Sequence, residues 1–317
     1  MDNLLIKKLE NIKPLVSNTP MIKVRVNVDG KIKNIYCKCE WYSLTGSIKD
    51  KVAYQIYHDM IAENLLHSGD NIVEVSSGNM GISLCALGNN LGLHTTILLP
   101  KNMSEERKKI LKLYGANLIE TNDFKQAFSL CKQFEKKGYI CTHQFENKSN
   151  YTAHYQITGS EILAKIKNTS VKNFVCGVGT SGSLSGIGDK LKQIGIKTFA
   201  LEPLNARILS NKKPFSKHLL QGLADEIVPK LYNKKLSSKI IQISDFDAIK
   251  MSQMLCSKLS LGVGISSGAN FLASCLLSGD TVTVLPDDNK KYLTTKLCDK
   301  VESSVCDYIQ LLDFSFV

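Results

Sequence analysis

Three short loops contain most of the residues in this sequence that could bind an anion. Each combines glycine with hydroxyl or amide side chains at the point where a strand-like segment gives way to a helix-like one: SSGNMG (76–81), GVGTSGS (177–183) and GISSGAN (264–270). Helix N-termini point backbone N–H groups outward, which suits phosphate and carboxylate groups. One such loop is weak evidence. Three together predict a single anion-binding site.

The elements around these loops alternate regularly between strand and helix. Apolar runs predict strands, among them 71–75, 94–100 and 116–121, and periodic segments predict helices near 79–91, 123–137 and 245–259. This order is typical of an α/β protein with largely parallel sheets. In such sheets ligands bind beyond the carboxyl ends of the strands, where the three loops would lie. The first residues predict a short amphipathic helix.

Composition excludes several classes of protein. The formal charge of +11 comes mostly from lysines interleaved with acidic residues, which indicates a solvated surface and no nucleic-acid interface. No apolar run approaches the roughly 20 residues of a membrane span. The N-terminus lacks the apolar core of a secretory signal, so we expect a cytoplasmic protein with no membrane partner.

The ten cysteines are expected to be small buried side chains in a reducing compartment. No C-x-x-C pair occurs, and no cysteine has a histidine at the usual zinc spacing, so no metal site is predicted. Cys37 and Cys39 alternate within a strand-like run, which places them on one face.

TGSIKDK (45–51) resembles the G-S-x-K-D segment of the cysteine synthase and cystathionine β-synthase family. SSGNMG is similar to that family's T-S-G-N-T-G loop, GVGTSGS to its G-V-G-T-G-G-T loop, and HQF (143–145) to its Q-F segment. GISSGAN and SNTPMIKV (17–24) also match, in the same order, over about residues 14–295. The resemblance implies a fold-type II pyridoxal-phosphate enzyme, usually a homodimer.

The resemblance also implies two domains, each a mostly parallel twisted sheet flanked by helices, as in the tryptophan synthase β-like fold. Residues 1–34 with 154–317 would form the larger domain, carrying the phosphate loop and the contact to the pyridine nitrogen. Residues 35–153 would form a smaller, mobile domain. This domain would carry the Schiff-base lysine and the loop for the substrate carboxylate.

Site residues follow from the same resemblance. Lys49 would form the Schiff base with pyridoxal 5′-phosphate and later act as the base at the substrate's Cα. Asn79 would contact the cofactor's phenolic oxygen, and Ser266 its pyridine nitrogen. The donors to the cofactor phosphate would be Gly179, Thr180, Ser181, Gly182 and Ser183. The groups near the substrate carboxylate would be Ser76, Ser77 and Gln144.

A serine at the pyridine nitrogen indicates a type of reaction. A hydroxyl leaves that nitrogen largely unprotonated, which weakens the electron sink and favours loss of a β-substituent over transamination. The resemblance therefore implies β-replacement on an activated serine such as O-acetylserine. Sulfide or a thiol would add to an aminoacrylate and give cysteine or a related amino acid. One alternative is a β-lyase or cysteine desulfhydrase, and another is a non-catalytic partner of a serine acetyltransferase.

Three departures from the family pattern bear on the nucleophile and the loops. Met80 stands where a threonine offers a hydroxyl to the substrate, so it is either a core residue or a changed substrate contact. Ser181 replaces a glycine, which is tolerable if its φ is negative. Asp225 and Glu226 replace small uncharged residues, and either could activate water or an amine as a base; equally, they could be a surface pair.

Overall fold

The structure, a computed structural model, describes residues 2–210, 216–224 and 227–317. The strands are β1 (Met21–Val28), β2 (Lys31–Cys39), β3 (Asn71–Val75), β4 (His94–Pro100), β5 (Asn117–Thr121), β6 (Ile140–Cys141), β7 (Asn173–Gly177), β8 (Lys197–Pro203), β9 (Ser237–Ile243), β10 (Thr281–Leu285) and β11 (Ile309–Phe316). The α-helices are α1 (Asn3–Val16), α2 (Lys49–Ala62), α3 (Asn79–Leu91), α4 (Glu105–Leu113), α5 (Phe124–Glu135), α6 (Lys148–Ala153), α7 (Gly159–Ile166), α8 (Gly182–Lys192), α9 (Asp245–Leu259) and α10 (Ile265–Leu276).

The strands form two sheets, which confirms the predicted α/β class. The larger sheet has the order β11-β1-β2-β10-β7-β8-β9, and the smaller one β5-β4-β3-β6. All pairs in the smaller sheet are parallel, whereas β1 pairs with β2 and β11 in antiparallel fashion. The predicted strand at 71–75 and the helix beginning at Asn79 are confirmed.

Helices cover both faces of the larger sheet, as parallel strands require. Along β7, Phe174 packs into a core with α7 and α8, while its neighbour Val175 faces the opposite core with α9 and α10. Cys37 and Cys39 share the α9–α10 face, as their alternation predicts. The expectation of buried cysteines is wrong for Cys256 and Cys298, which are exposed.

The structure corrects the predicted domain boundary in two places. Strand β2 pairs with β1 from residue 31 to residue 38 and continues beside β10 to Cys39, so a boundary after residue 34 would cut through a strand of the larger sheet. Helix α1 belongs with the smaller sheet's helices, because Leu5 and Leu9 are buried in one core with Val52 and Leu84.

Within the described residues, no helix combines the length and the apolar character needed to cross a membrane.

Candidate active site

A cleft of about 670 Å³, its open mouth included, lies where strand ends of the two sheets meet. The SSGNMG loop follows β3 of the smaller sheet, and the GVGTSGS loop follows β7 of the larger one. The cleft is lined by Ile48, Lys49, Ser77, Asn79, Met80, Arg107, Gln144, Cys176, Gly177, Gly179, Thr180, Ser183, Gln221, Gly222, Leu223, Ser266, Asn270 and Pro286. Most of the sequence-predicted site residues are therefore brought together.

Lys49 is the first residue of α2 and lies half-buried in the cleft. The preceding chain is fixed to the end of β10, because the Ile48 N–H donates to the Pro286 carbonyl at 2.9 Å. Asp50 fixes it from the other side by accepting from the Thr45 N–H at 2.8 Å and from Ser83 Oγ at 2.7 Å. These bonds hold the start of α2, and with it the lysine, at the cleft.

The positive charge of Lys49 also affects the pKa of a nearby buried histidine, His154. His154 is fully buried, and burial together with the positive charge of Lys49 holds the pKa of its imidazole well below the usual range. Lys51 adds to the effect of Lys49, and the ring is therefore neutral at physiological pH.

The SSGNMG loop presents only part of its polar side chains to the cleft. Ser77, Asn79 and Met80 line it. Ser76 does not, because its Oγ lies beneath the loop and accepts from the Gly78 and Gly81 N–H groups, both at 3.0 Å. The structure thus places Ser76 as a support of the loop, unlike the predicted carboxylate contact. Met80 both lines the cleft and packs into a core, so the two interpretations of this residue are compatible.

Gln144 reaches the cleft from the chain that follows β6. Its Nε2 donates to the Val75 carbonyl at 2.7 Å, and its backbone N–H donates to Glu74 Oε2 at 3.2 Å. Thr142 Oγ1 donates to the same carboxylate oxygen. Burial raises the pKa of Glu74 to about 7, although these hydrogen bonds oppose the rise.

The GVGTSGS loop lines the cleft with Gly179, Thr180 and Ser183. Ser181 does not line it; its hydroxyl lies 3.2 Å from Ser185 Oγ, and its φ is +68°. The condition under which this serine would be tolerable, a negative φ, is not met, because Ser181 occupies the left-handed conformation immediately before α8. That conformation costs an L-residue roughly 1–2 kcal/mol.

Gly182 serves close packing beneath the same loop. A Cβ at this position would lie 1.9 Å from Asn150 Oδ1. Asn150 in turn donates to the Gln144 carbonyl at 2.8 Å and to Thr180 Oγ1 at 2.9 Å. A glycine here therefore lets one buried amide connect the GVGTSGS loop to the chain that carries Gln144.

Ser266 is in the first turn of α10 and lines the cleft almost fully buried. Asn270, one turn further on, accepts from the Gly177 N–H at 2.8 Å and donates to the Val284 carbonyl at 2.9 Å. This amide joins the ends of β7 and β10, so Ser266 and the GVGTSGS loop are held in one rigid frame. Asp225 and Glu226 lie outside the described residues.

A charged cluster that was not predicted from the sequence lies beneath the SSGNMG loop. Arg107 is almost fully buried; its NH1 donates to the Ser77 carbonyl at 3.1 Å and its NH2 to the Tyr292 hydroxyl at 2.7 Å. Asp287 accepts from Asn79 Nδ2 at 2.8 Å and from Tyr292 at 2.8 Å. Two features of the sequence could have indicated this cluster. One is the single arginine in the lysine-rich helix α4, and the other is the acidic pair just after β10.

The lining chemistry fits an anionic ligand that reacts with an amine. Among the described lining residues two are cationic, Lys49 and Arg107, and none is acidic. Two buried amide oxygens, Asn79 Oδ1 and Gln221 Oε1, have no hydrogen-bond partner within the described chain. Buried polar atoms normally find partners, so these amides indicate that a polar ligand belongs in the cleft. Pyridoxal phosphate, with an anionic tail and an aldehyde, fits the cationic lining and the amine of Lys49; the two amide oxygens accept and therefore require a donor from a further ligand.

Comparisons with known proteins agree with this chemistry. The family model described as "Pyridoxal-phosphate dependent enzyme" matches residues 12–287. Cysteine synthase from Staphylococcus aureus is 36% identical over 303 residues, covering 92% of this chain and 97% of that protein. The hydrogen sulfide-producing enzyme of Fusobacterium nucleatum has a structure with a TM-score of 0.93 at 37% identity, covering 98% of this chain and 99% of that one. A mutant of that enzyme complexed with an α-aminoacrylate intermediate gives a TM-score of 0.94 at 37% identity, covering 98% of this chain and 100% of that one.

Proposed function

The chain belongs to the pyridoxal-phosphate dependent enzyme family, and from that premise we propose that it exchanges the β-substituent of an activated serine for sulfide or a thiol. It is a cysteine synthase-like enzyme. The observation that carries the proposal is the convergence of Lys49, the GVGTSGS loop, Ser266 and the SSGNMG loop on one cleft.

The bound cofactor supplies an electron sink that labilises the substrate's Cα proton and β-substituent. Lys49 would hold the cofactor covalently through Nζ and, once displaced by the substrate's amine, would accept the Cα proton. Its position at the start of α2, between the two sheets, gives it access to both molecules.

The cofactor's anionic tail would be bound at the start of α8. Backbone N–H groups in the first turn of a helix have no partner within that helix, and here they follow Gly179 and Thr180 at the edge of the cleft. Ser183 would add a hydroxyl donor. Ser181 and Gly182 would act indirectly, by shaping the turn that aims these donors.

Neutral side chains would hold the ring. An amide nitrogen carries two hydrogens, so Asn79 Nδ2 could serve both Asp287 and the phenolic oxygen. Ser266 would face the pyridine nitrogen. None of the described lining residues is a carboxylate that could keep this nitrogen protonated, which favours loss of a β-substituent over transamination.

The substrate's carboxylate would lie against Ser77, the N-terminus of α3 and Gln144. Met80 offers no hydroxyl there, so fewer polar contacts would hold the carboxylate than a threonine would allow. Arg107, just beneath Ser77, is paired with Asp287 at 3.4 Å and would contribute by fixing the Ser77 carbonyl, and with it the loop.

A covalent adduct at Lys49 is the first prediction of this assignment. Reduction of the purified protein with borohydride, followed by peptide mapping, should find a pyridoxyl group on Lys49. The Lys49→Ala variant should lose the yellow absorption band and at least about 10³-fold in turnover, because no amine remains to act as nucleophile and base. Lys148→Ala, an exposed position on α6, should change neither. An adduct on another lysine would contradict the proposal.

Release of sulfide from cysteine is a second candidate, favoured by the TM-score of 0.94 to a hydrogen sulfide-producing enzyme. Here water would replace sulfide as the nucleophile, and Asp225 or Glu226 would act as the base. Gln221, Gly222 and Leu223 line the cleft just before these two residues. The chain just before them is also held at the GVGTSGS loop, because the Ala224 N–H donates to the Val178 carbonyl at 2.9 Å.

Two incubations separate the candidates. O-acetylserine with sulfide should yield cysteine if the enzyme is a synthase, and cysteine alone should yield sulfide if it is a lyase. Asp225→Asn and Glu226→Gln should slow only the second reaction. Equal rates in both variants would rule out a carboxylate base.

The larger assembly is also proposed from the family resemblance. We expect a homodimer located in the cytoplasm, with the Lys49 side of the cleft moving as a smaller domain, and we expect a complex with a serine acetyltransferase. Sedimentation of the purified protein, alone and with such an acetyltransferase, would test the assembly.

A further inference from the structure

A second group of reactive side chains lies on the smaller sheet. Cys131 and Glu135 are one turn apart on α5, so they share a face of that helix. Cys141 ends β6 and His143 follows two residues later, with a φ of +51° that is uncommon outside glycine. None of the four lines the cleft described above.

The donor atoms of this group converge. One atom each from Glu135, Cys141 and His143 lie within 4.8 Å of one another, and no other set of three such donors does so in the described part of the chain. His143 Nε2 is 2.9 Å from Glu135 Oε1. Cys131 Sγ is 3.1 Å from Cys141 Sγ.

These separations are close to those of a tetrahedral metal site. Bond lengths of about 2.0 Å to nitrogen or oxygen and about 2.3 Å to sulfur place neighbouring ligand atoms roughly 3.3–3.8 Å apart. Cys131 Sγ is not within 4.8 Å of all three of the other donor atoms, so a fourth ligand requires a rotation of the Cys131 side chain that keeps its sulfur near Cys141. Glu135 and Cys141 are partly buried and His143 is exposed, so an ion could enter from solvent.

A second carboxylate lies near the other ring nitrogen of this histidine. Glu146 Oε1 lies 3.7 Å from His143 Nδ1, on the side of the ring away from Glu135. This separation is longer than a hydrogen bond; a small movement that closed it would orient the imidazole and fix its tautomer, leaving Nε2 to bind the ion. Glu146 is itself held by Lys230.

We propose that Cys131, Glu135, Cys141 and His143 bind a zinc-class divalent transition metal. Thiolate and imidazole ligands select such ions over magnesium or calcium, which prefer oxygen. Binding forms two metal–sulfur bonds, one metal–nitrogen bond and one metal–oxygen bond. The two thiols release their protons to solvent, as does the imidazole where it is protonated; the ion gives up the waters that these ligands replace, and no electron is transferred.

The ion would act on the chain that leads into the cleft. His143 lies between Thr142 and Gln144 in the chain. The Thr142 hydroxyl and the Gln144 N–H both donate hydrogen bonds to Glu74 Oε2, near the end of β3. Metal binding would therefore restrain the segment that positions Gln144. The site itself does not depend on the proposed β-replacement activity.

Metal titration of the whole protein tests the site. The enzyme is first saturated with cofactor and freed of the unbound excess. Its cysteine thiols are then reduced, and any bound metal is removed with a chelator. The protein is finally titrated with Zn²⁺ in the presence of a coloured competing chelator. One ion per chain is expected. Co²⁺ in place of Zn²⁺ should give a thiolate charge-transfer band in the near ultraviolet. Cys141→Ser and His143→Gln should each weaken Zn²⁺ binding by at least about 100-fold, and Glu146→Gln by about tenfold.

The control is the double variant Cys256→Ser/Cys298→Ser, which removes the two exposed thiols elsewhere and should leave Zn²⁺ affinity unchanged. Circular dichroism and the cofactor band report whether each variant folds. The proposal is overturned if the wild type takes up no stoichiometric Zn²⁺, or if both Cys141→Ser and His143→Gln bind it as tightly. A Cys131–Cys141 disulfide that, once reduced, gives thiols without affinity for Zn²⁺ would identify a redox pair and also overturn it.

Discussion

The SSGNMG and GVGTSGS loops have similar sequences and the same position at a strand end, but different groups hold them in place. The SSGNMG loop follows β3, whose buried carboxyl group, Glu74, joins it to the chain carrying Gln144. The GVGTSGS loop follows β7 and is held by two neutral amides, Asn150 and Asn270. A glycine-containing turn at a strand end can therefore be supported by a titrating group or by a non-titrating one.

Glycine also has different uses in the two loops. Gly78 supplies a φ of +136°, which other residues rarely adopt. In the GVGTSGS loop a serine, Ser181, takes the positive φ, and Gly182 instead provides space for Asn150. Similar glycine spacing thus serves both backbone conformation and close packing at Gly78, but close packing alone at Gly182.

Replacing Gly78 should have the largest effect on stability. In Gly78→Ala the backbone conformation becomes strained, and the new Cβ would lie 2.4 Å from Arg107 Cδ. We expect a loss of about 4 kcal/mol in unfolding free energy, from strain and overpacking together. Urea denaturation measures it. Gly30→Ala, at a φ of +78° with open space around it, should show the strain alone; an equal loss there would contradict the role of Arg107.

Glu74 titrates, whereas the amides of Asn150 and Asn270 do not. We therefore predict that only the support of the SSGNMG loop contributes a pH-dependent stability. The folded-state pKa of Glu74, about 7, exceeds its ordinary value of 4.5. The folded protein therefore binds this proton more tightly than the unfolded chain, and stability falls as pH rises between these values, by about 3 kcal/mol in total.

Glu74→Gln should remove this dependence. Between pH 5 and pH 8 the unfolding free energy of the variant should stay constant, whereas that of the wild type falls by about 3 kcal/mol, as measured by urea denaturation. The variant carries a constant loss of one unmade hydrogen bond at every pH, because the two carboxylate oxygens accept the Val75 and Gln144 N–H groups and an amide nitrogen cannot accept. Glu63→Gln, at an exposed position after α2, serves as the matched control. Parallel curves for wild type and Glu74→Gln would show that the carboxyl group is not protonated in the fold.

Gly182→Ala should damage the other loop and cofactor binding. The added Cβ displaces Asn150, at a cost of about 2 kcal/mol, and we expect a weaker affinity for pyridoxal phosphate as measured by fluorescence titration. Combining it with Asn150→Ala should cost less than the sum of the two single changes. Additive losses would mean that the clash is not with Asn150.

The smallest effect is expected at Ser181, and it is stabilising. Ser181→Gly relieves the left-handed strain but loses the contact with Ser185, so the net gain should be a few tenths to about 1 kcal/mol. Ser181→Ala keeps the strain and should be slightly destabilising. A gain in thermal stability for both variants would contradict this explanation.

Regular patterns made much of the fold predictable. The apolar run 71–75 and the helix beginning at Asn79 are confirmed because hydrophobic periodicity and local signals determine both. The domain boundary could not be found in this way, because pairing of β2 with β10 joins residues 246 positions apart, as in Thr281 with Ile35. Nothing local distinguishes the two halves of such a strand.

For the site, the sequence by itself determined the types of residue available: an amine at Lys49, and the hydroxyl- and glycine-rich loops that suit an anionic cofactor. The tertiary structure alone decided where each group points. Ser76 turned out to support its loop, and Arg107 became a buried charge beneath it. The physical reason is that backbone sterics and hydrophobic periodicity act over a few residues, whereas burial and hydrogen-bond partners depend on chain segments that meet only after folding.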